Sequence, residues 1–169
     1  LKVPKEVKPD PRVLSAPGFK VGFVWSGSPT RVDNQSRSLT LTEFAPLLDI
    51  SKISFFSLQV GMARAELEKM DYKNVTDLGS QFNDFADTAA VVAALDLIIS
   101  VDTSVLHLAG ALAKPAWGMM SMPTGFLWMN DRLDSPWYPT VRLFRQSEPG
   151  DWTSVISAVY DALLHEIIH

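Results

Sequence analysis

The chain has 169 residues, 47% hydrophobic and 20% charged, which suits one domain with a substantial core. A formal net charge of −4 leaves no basic excess to neutralise phosphates, which argues against nonspecific binding to DNA, RNA or an anionic membrane surface. With no cysteine there is no disulfide framework, thiol nucleophile or zinc–thiolate site, and with no apolar run near ~20 residues there is no membrane span, so a cytoplasmic location is the expectation.

The opening residues are charged and proline-broken, unlike a signal peptide, and a first residue Leu1 suggests a piece of a longer protein. Residues 1–18 read as an extended linker or docking segment, and residues 19–169 as one α/β domain. Residues 21–25 form a short apolar strand ended by Ser26, Gly27, Ser28 and Pro29, and a polar loop runs over 30–38. Thr42 can cap a helix that puts Phe44, Leu47 and Leu48 on one face. A strand over 53–58 precedes a helix over 62–70 with an Arg64–Glu68 pair, then a short strand over 75–78.

A helix over 82–95 is expected to bury Phe85, Ala89 and Val92. Next come a strand over 97–101, a polar turn of Asp102, Thr103 and Ser104, and a small-residue helix ending near Ala113. A strand over 116–120, an irregular stretch over 121–139 and a strand over 141–144 follow. Asp151 caps a last helix with Val155, Val159, Ala162 and Leu163 facing inward. Strands alternating with helices imply parallel pairing through right-handed crossovers, and near-continuous apolar strands imply a sheet covered on both faces. The fold class is therefore α/β: a doubly wound, mostly parallel, six-stranded Rossmann-like sheet with helices on both faces.

In such folds ligands sit beyond the carboxyl ends of the strands, here near the switch between the first and fourth. That puts the 26–38 loop and the 102–104 turn on one rim. A helix starting directly off a strand presents unpaired N–H groups and a positive dipole end to an anion, with His107 one turn from Ser104. Taken alone, the turn is as well explained by ordinary capping. The loop is as well explained by a solvated surface, although Gly27 permits close backbone approach and Arg37 can fork onto a diphosphate. Together they leave an anion site and a structural turn both open. Trp128, Asp131, Arg132, Asp134, Trp137 and Tyr138 form either a lid or a wall for a flat group. His165, Glu166 and His169 match the zinc-protease His-Glu-x-x-His pattern, but a third ligand would have to follow, so a terminal helix is expected instead. No Asp-x-Asp, Walker or Gly-x-Ser-x-Gly motif occurs.

Four segments resemble the C-terminal half of GT-B glycosyltransferases, nearest the family 9 type that includes the lipopolysaccharide heptosyltransferases, in the variant found at the tail of tetratricopeptide-repeat proteins. They are residues 21–29 with the Asn/Arg/Ser loop that follows, residues 55–61 (Phe-Phe-Ser-Leu-Gln-Val-Gly), residues 85–112, and residues 134–139 (Asp-Ser-Pro-Trp-Tyr-Pro). The resemblance implies a domain that binds a nucleotide-diphosphate sugar without a metal or other cofactor. It carries the family's Asp-[Thr/Ser]-Gly-x-x-His segment onto Asp102, Thr103, Ser104 and His107, with Ser104 standing where the family has glycine. It carries the phosphate-binding lysine onto Arg37, adds Ser26 and Ser28 to the diphosphate site, and puts Gln59 and Gly61 at the base and ribose.

The resemblance also implies a missing N-terminal acceptor or repeat domain, which in the family supplies most of the acceptor site and the catalytic base, so catalytic residues within this chain are unknown. A face left uncovered by that half gives the chain a route to a homodimer. Two other readings stand beside this one. One is a non-catalytic GT-B-like docking module associated with helical repeats; the other is an α/β enzyme such as a sugar-nucleotide epimerase.

Overall fold

A computed structural model describes residues 1–168. Among them are six strands, β1 (Phe19–Val24), β2 (Ile53–Ser57), β3 (Val75–Asp77), β4 (Leu97–Val101), β5 (Ala116–Met120) and β6 (Val141–Arg145). They pair in the order β3-β2-β1-β4-β5-β6, every pair parallel. The α-helices are α1 (Pro11–Ser15), α2 (Asn34–Arg37), α3 (Leu41–Leu48), α4 (Phe85–Ala94), α5 (Ser104–Ala111) and α6 (Trp152–Ile168).

Alternation along the strands divides the core. Val21, Phe23, Phe55, Ile99 and Trp117 face α3 and α6, where they meet Phe44, Leu47, Val155, Val159 and Leu163. Val24, Phe56, Ile98 and Leu143 face α4 and α5 with Val91, Val92, Leu106 and Ala109. All five residues of β4 are buried, as a strand at the centre of a doubly covered sheet must be. Because β1 continues to β2 on one side while β4 lies on the other, the connections diverge at the β1/β4 boundary and leave a crevice above it.

Several local expectations are corrected. Residues 1–18 are not simply an extended linker: Asp10 caps α1, and Val13 is inserted fully buried into the α4–α5 side of the core. Thr40, not Thr42, caps α3, in a reciprocal capping box with Glu43. The stretch Met62–Lys69 is a 3-10 helix rather than an α-helix, and Arg64 bonds Asp77 at 2.6 Å while Glu68 stays at 3.9 Å. Phe85 is exposed as the first residue of α4, whereas Ala89 and Val92 are buried. Asp151 does cap α6, accepting from the Ser154 N–H at 3.0 Å, and Val155, Val159 and Leu163 are buried while Ala162 is half-buried. Among the described residues no helix is long and apolar enough to cross a membrane.

Gly79 packs against the chain just after β2, where a Cβ would overlap the backbone carbonyl of Gln59. Backbone against backbone leaves little room to relax. Gly79→Ala is therefore expected to lower stability by about 1–3 kcal/mol in urea denaturation, through overpacking alone.

Candidate functional site

The chain leaves β1 at Trp25 and Ser26 directly beside the chain leaving β2. Gln59, 3% exposed, ties the two ends together. Its Oε1 accepts from the N–H groups of Trp25 (3.3 Å) and Ser26 (3.0 Å). Its Nε2 donates to the carbonyls of Ser26 and Val60, each at 3.0 Å. Both amide hydrogens and both oxygen lone pairs are thus engaged, so Gln59 positions backbone around the crevice. Gly61 follows with φ 76°, a left-handed conformation that glycine adopts without strain, and the space where a Cβ would stand is open.

On the other side of the crevice, β4 ends and α5 begins within three residues. The Thr103 hydroxyl bonds Ser100 at 2.9 Å and makes no cap bond to the helix, so α5 opens without a side-chain acceptor on its first N–H groups. Into this turn reaches Arg37, from the short helix α2 that forms inside the long 26–38 loop. Its Nη2 lies 2.6 Å from Asp102 Oδ2 and also donates to the Asp102 carbonyl. Its Nη1 lies 3.6 Å from Asp33 Oδ1, and Asp33 in turn receives both arms of Arg31 at 3.0 and 3.1 Å. The Arg31 bonds bring the Asp33 carboxyl down to about 2.

Asp102 sits among competing influences. Burial pushes its carboxyl up, but His107 and Trp128 beside it and the charge of Arg37 outweigh that and hold it below the usual carboxylate range. His107 Nε2 is 3.7 Å from Asp102 Oδ1, and its Nδ1 is 3.2 Å from the Tyr138 hydroxyl. The imidazole stacks on Trp128 with ring centres 5.0 Å apart. Trp128 is 1% exposed, and among the described residues its Nε1 completes no hydrogen bond. Tyr138 approaches this closely because Gly110 has no side chain; a Cβ there would overlap the ring.

Arg145, which sequence reasoning missed, holds the aromatic wall in place. From the end of β6 it donates to the carbonyls of Arg132 (2.7 Å) and Trp128, and to the Thr124 hydroxyl (2.9 Å). Desolvation lowers its pKa against the opposing charge of Asp131, and three of its five N–H groups find carbonyl or hydroxyl acceptors. An arginine bonding loop carbonyls has no signature in the sequence.

These elements enclose a cleft of about 650 Å³. Ser26, Ser28, Arg37, Gln59, Gly61, Asp102, Thr103, Ser104 and His107 all line it, together with Arg31, Val60, Phe126 and Trp128. The Ser28 hydroxyl is bonded to Thr30 at 2.8 Å, and that of Ser26 to the Gly27 carbonyl at 3.5 Å. The aromatic cluster divides: Trp128 and Tyr138 meet His107, Trp137 is exposed and bonds the Leu127 carbonyl, and Arg132 pairs with Asp134 on the surface. Of the His-Glu-x-x-His match, His169 lies outside the described residues. Among the described residues no three His, Asp or Glu side chains are grouped to hold a metal ion.

No family model matches the sequence. Protein FlbA of Caulobacter vibrioides is 28% identical over 152 residues, covering 87% of this chain and 25% of FlbA. The fold is similar to E. coli heptosyltransferase WaaC with ADP-2-deoxy-2-fluoro heptose (TM-score 0.62, 17% identity, 90% of this chain and 44% of that one). It is also similar to E. coli ADP-heptose lps heptosyltransferase II (0.58, 16%, 90% and 48%) and to KpsC, a beta Kdo 2,4 transferase of Thermosulfurimonas dismutans (0.52, 14%, 90% and 47%). The six-stranded parallel α/β fold is thus shared with part of each of these GT-B-type glycosyltransferases. The chain spans about half the length of those solved structures and a quarter of the curated relative.

The Asp102 pair has a predictable pH signature. A carboxyl with a lowered pKa in the folded state contributes stability above its unfolded pKa and loses it as pH falls through the folded value. Asp102→Asn should therefore be less stable than the wild type at pH 7, by about 1–2 kcal/mol. That gap should close on acidification from about pH 5 to pH 2, as the wild-type carboxyl protonates. Urea denaturation at both ends of the range checks it.

Proposed function

We propose that this cleft binds the diphosphate of a nucleotide-diphosphate sugar, and that the chain is the donor-binding domain of a metal-independent glycosyltransferase. The observation that carries the reading is convergence. The cation Arg37, the open N-terminus of α5 and the backbone around Gly27 and Gly61 meet at the β1/β4 crevice, in a cleft large enough for a nucleotide. The solved structure of WaaC with ADP supports it by likeness of fold.

In this reading Arg37, Ser104, His107 and the backbone at Thr103 surround the diphosphate, and the residues after β2 face base and ribose. Charge develops on the departing diphosphate as the glycosidic bond breaks, and fixed donors aimed at it stabilise the transition state. The acceptor hydroxyl must lose its proton to a base elsewhere, which an N-terminal half of a GT-B enzyme would supply. This domain alone then binds a donor and turns over little.

A second reading, a docking module that kept the fold beside helical repeats, is favoured by two observations. Both arginines of the cleft are already paired with aspartates. The rim also carries exposed apolar side chains, Phe126 at 87% and Val60 at 56%.

A thermal-shift titration with ADP, GDP, UDP and their sugars separates the two. Donor binding predicts a rise of several degrees with one base, unchanged by EDTA, since a ligand at 100 times its Kd adds ~2.7 kcal/mol. A folded sample that responds to none of them supports the docking module. Arg37→Ala should weaken the binding by about tenfold or more, the loss of a charge-assisted pair, as measured by calorimetry. Unchanged affinity would remove Arg37 from the site.

A further inference from the structure

Arg37 is the best-placed cation for an anion in the cleft, yet it is occupied. Asp102 meets it twice, with the carboxylate at 2.6 Å and with the backbone carbonyl, and both side chains are largely buried at 13% and 21% exposure. A carboxylate is an acceptor only, so it cannot itself bind a phosphate oxygen. Largely removed from water, its charge is screened less than a surface charge and acts on whatever enters next to Arg37. Counting Asp33, the two arginines of the cleft face two aspartates and the local charge sums to zero.

We propose that Asp102 sets the affinity of this cleft for anions: its carboxylate stands on Arg37 where a ligand phosphate would stand, and binding is an exchange of one for the other. The exchange has a receiver, because His107 Nε2 lies 3.7 Å from the other carboxylate oxygen and offers Asp102 a partner when Arg37 turns to the ligand. It has a guide as well. The bond from Arg37 to the Asp102 carbonyl is independent of the side chain and keeps the guanidinium aimed at the start of α5. Asp102→Asn removes the competing charge, keeps the shape and leaves that guide in place. This rests on the anion-binding reading above and adds what limits it.

The test is calorimetric titration of the wild type and Asp102→Asn with inorganic diphosphate, which needs no assumption about the base, and with ADP. Asp102→Asn is expected to bind diphosphate at least tenfold tighter, despite its lower stability. In an Arg37→Ala background the same substitution should gain less than threefold. Asp33→Asn, whose carboxylate is farther from the guanidinium at 3.6 Å, should gain two- to threefold, and it serves if Asp102→Asn does not fold. Equal or weaker binding by Asp102→Asn, or no gain from Asp33→Asn where that variant stands in, overturns the proposal while leaving the site intact. If neither the wild type nor the variants bind diphosphate or ADP, the anion-binding reading itself fails.

Discussion

Burying β1 and β4 side by side, under helices on both faces, is the constraint from which the rest of this molecule follows. Every residue of β4 is buried, and its one polar side chain, Ser100, is bonded to the Val101 carbonyl and the Thr103 hydroxyl, so polar groups open to a ligand first appear at Asp102. The polar groups that this part of the chain can offer a ligand therefore lie at the carboxyl edge. The crossovers diverge at this pair, so the edge opens into a crevice instead of being closed by a connecting loop. The loops above it are then held by two side chains, the buried Gln59 between the ends of β1 and β2 and the half-buried Arg145 beneath the aromatic wall.

Its electrostatics are balanced rather than cationic. Arg31 and Arg37 are matched by Asp33 and Asp102, with His107 beside the more buried aspartate. Under the exchange proposed for Asp102, a ligand gains only if its contacts to the guanidinium and to the first turn of α5 exceed those of the carboxylate it displaces. The arrangement also stabilises the empty fold, which fits a tendency for stability and binding to be in tension at functional positions.

The parallel α/β class, the switch point and the 26–38 and 102–104 segments were legible in the sequence because their signals are local: continuous apolar strands, Gly27, and a polar turn between a strand and a helix. Gln59 and Gly61, which also line the cleft, were pointed to only by the family resemblance. The α3 cap at Thr40 was equally legible, as Thr-x-x-Glu, and was displaced by the neighbouring Thr42. Other features depend on distant partners. Prolines around Val13 resemble a linker until the α4–α5 side of the core is seen to receive that side chain. Phe85 looks like a core residue until α4 is found to begin there, one turn short of the sheet-facing stripe. Arg145 bonds loop carbonyls, and the pairing of Arg37 with Asp102 spans 65 residues. No periodicity or spacing encodes contacts of that kind.

The proposed site would hold an anion between Arg37 and the start of α5. Amide NMR of the isotope-labelled chain, titrated with ADP, GDP and UDP, tests it most directly. The largest shifts for one of the three are expected on the Gly27, Ser104 and Val105 amides and on the Arg37 side-chain N–H groups. Shifts confined to the exposed rim near Phe126 and Trp137, or none with any of the three, would contradict it.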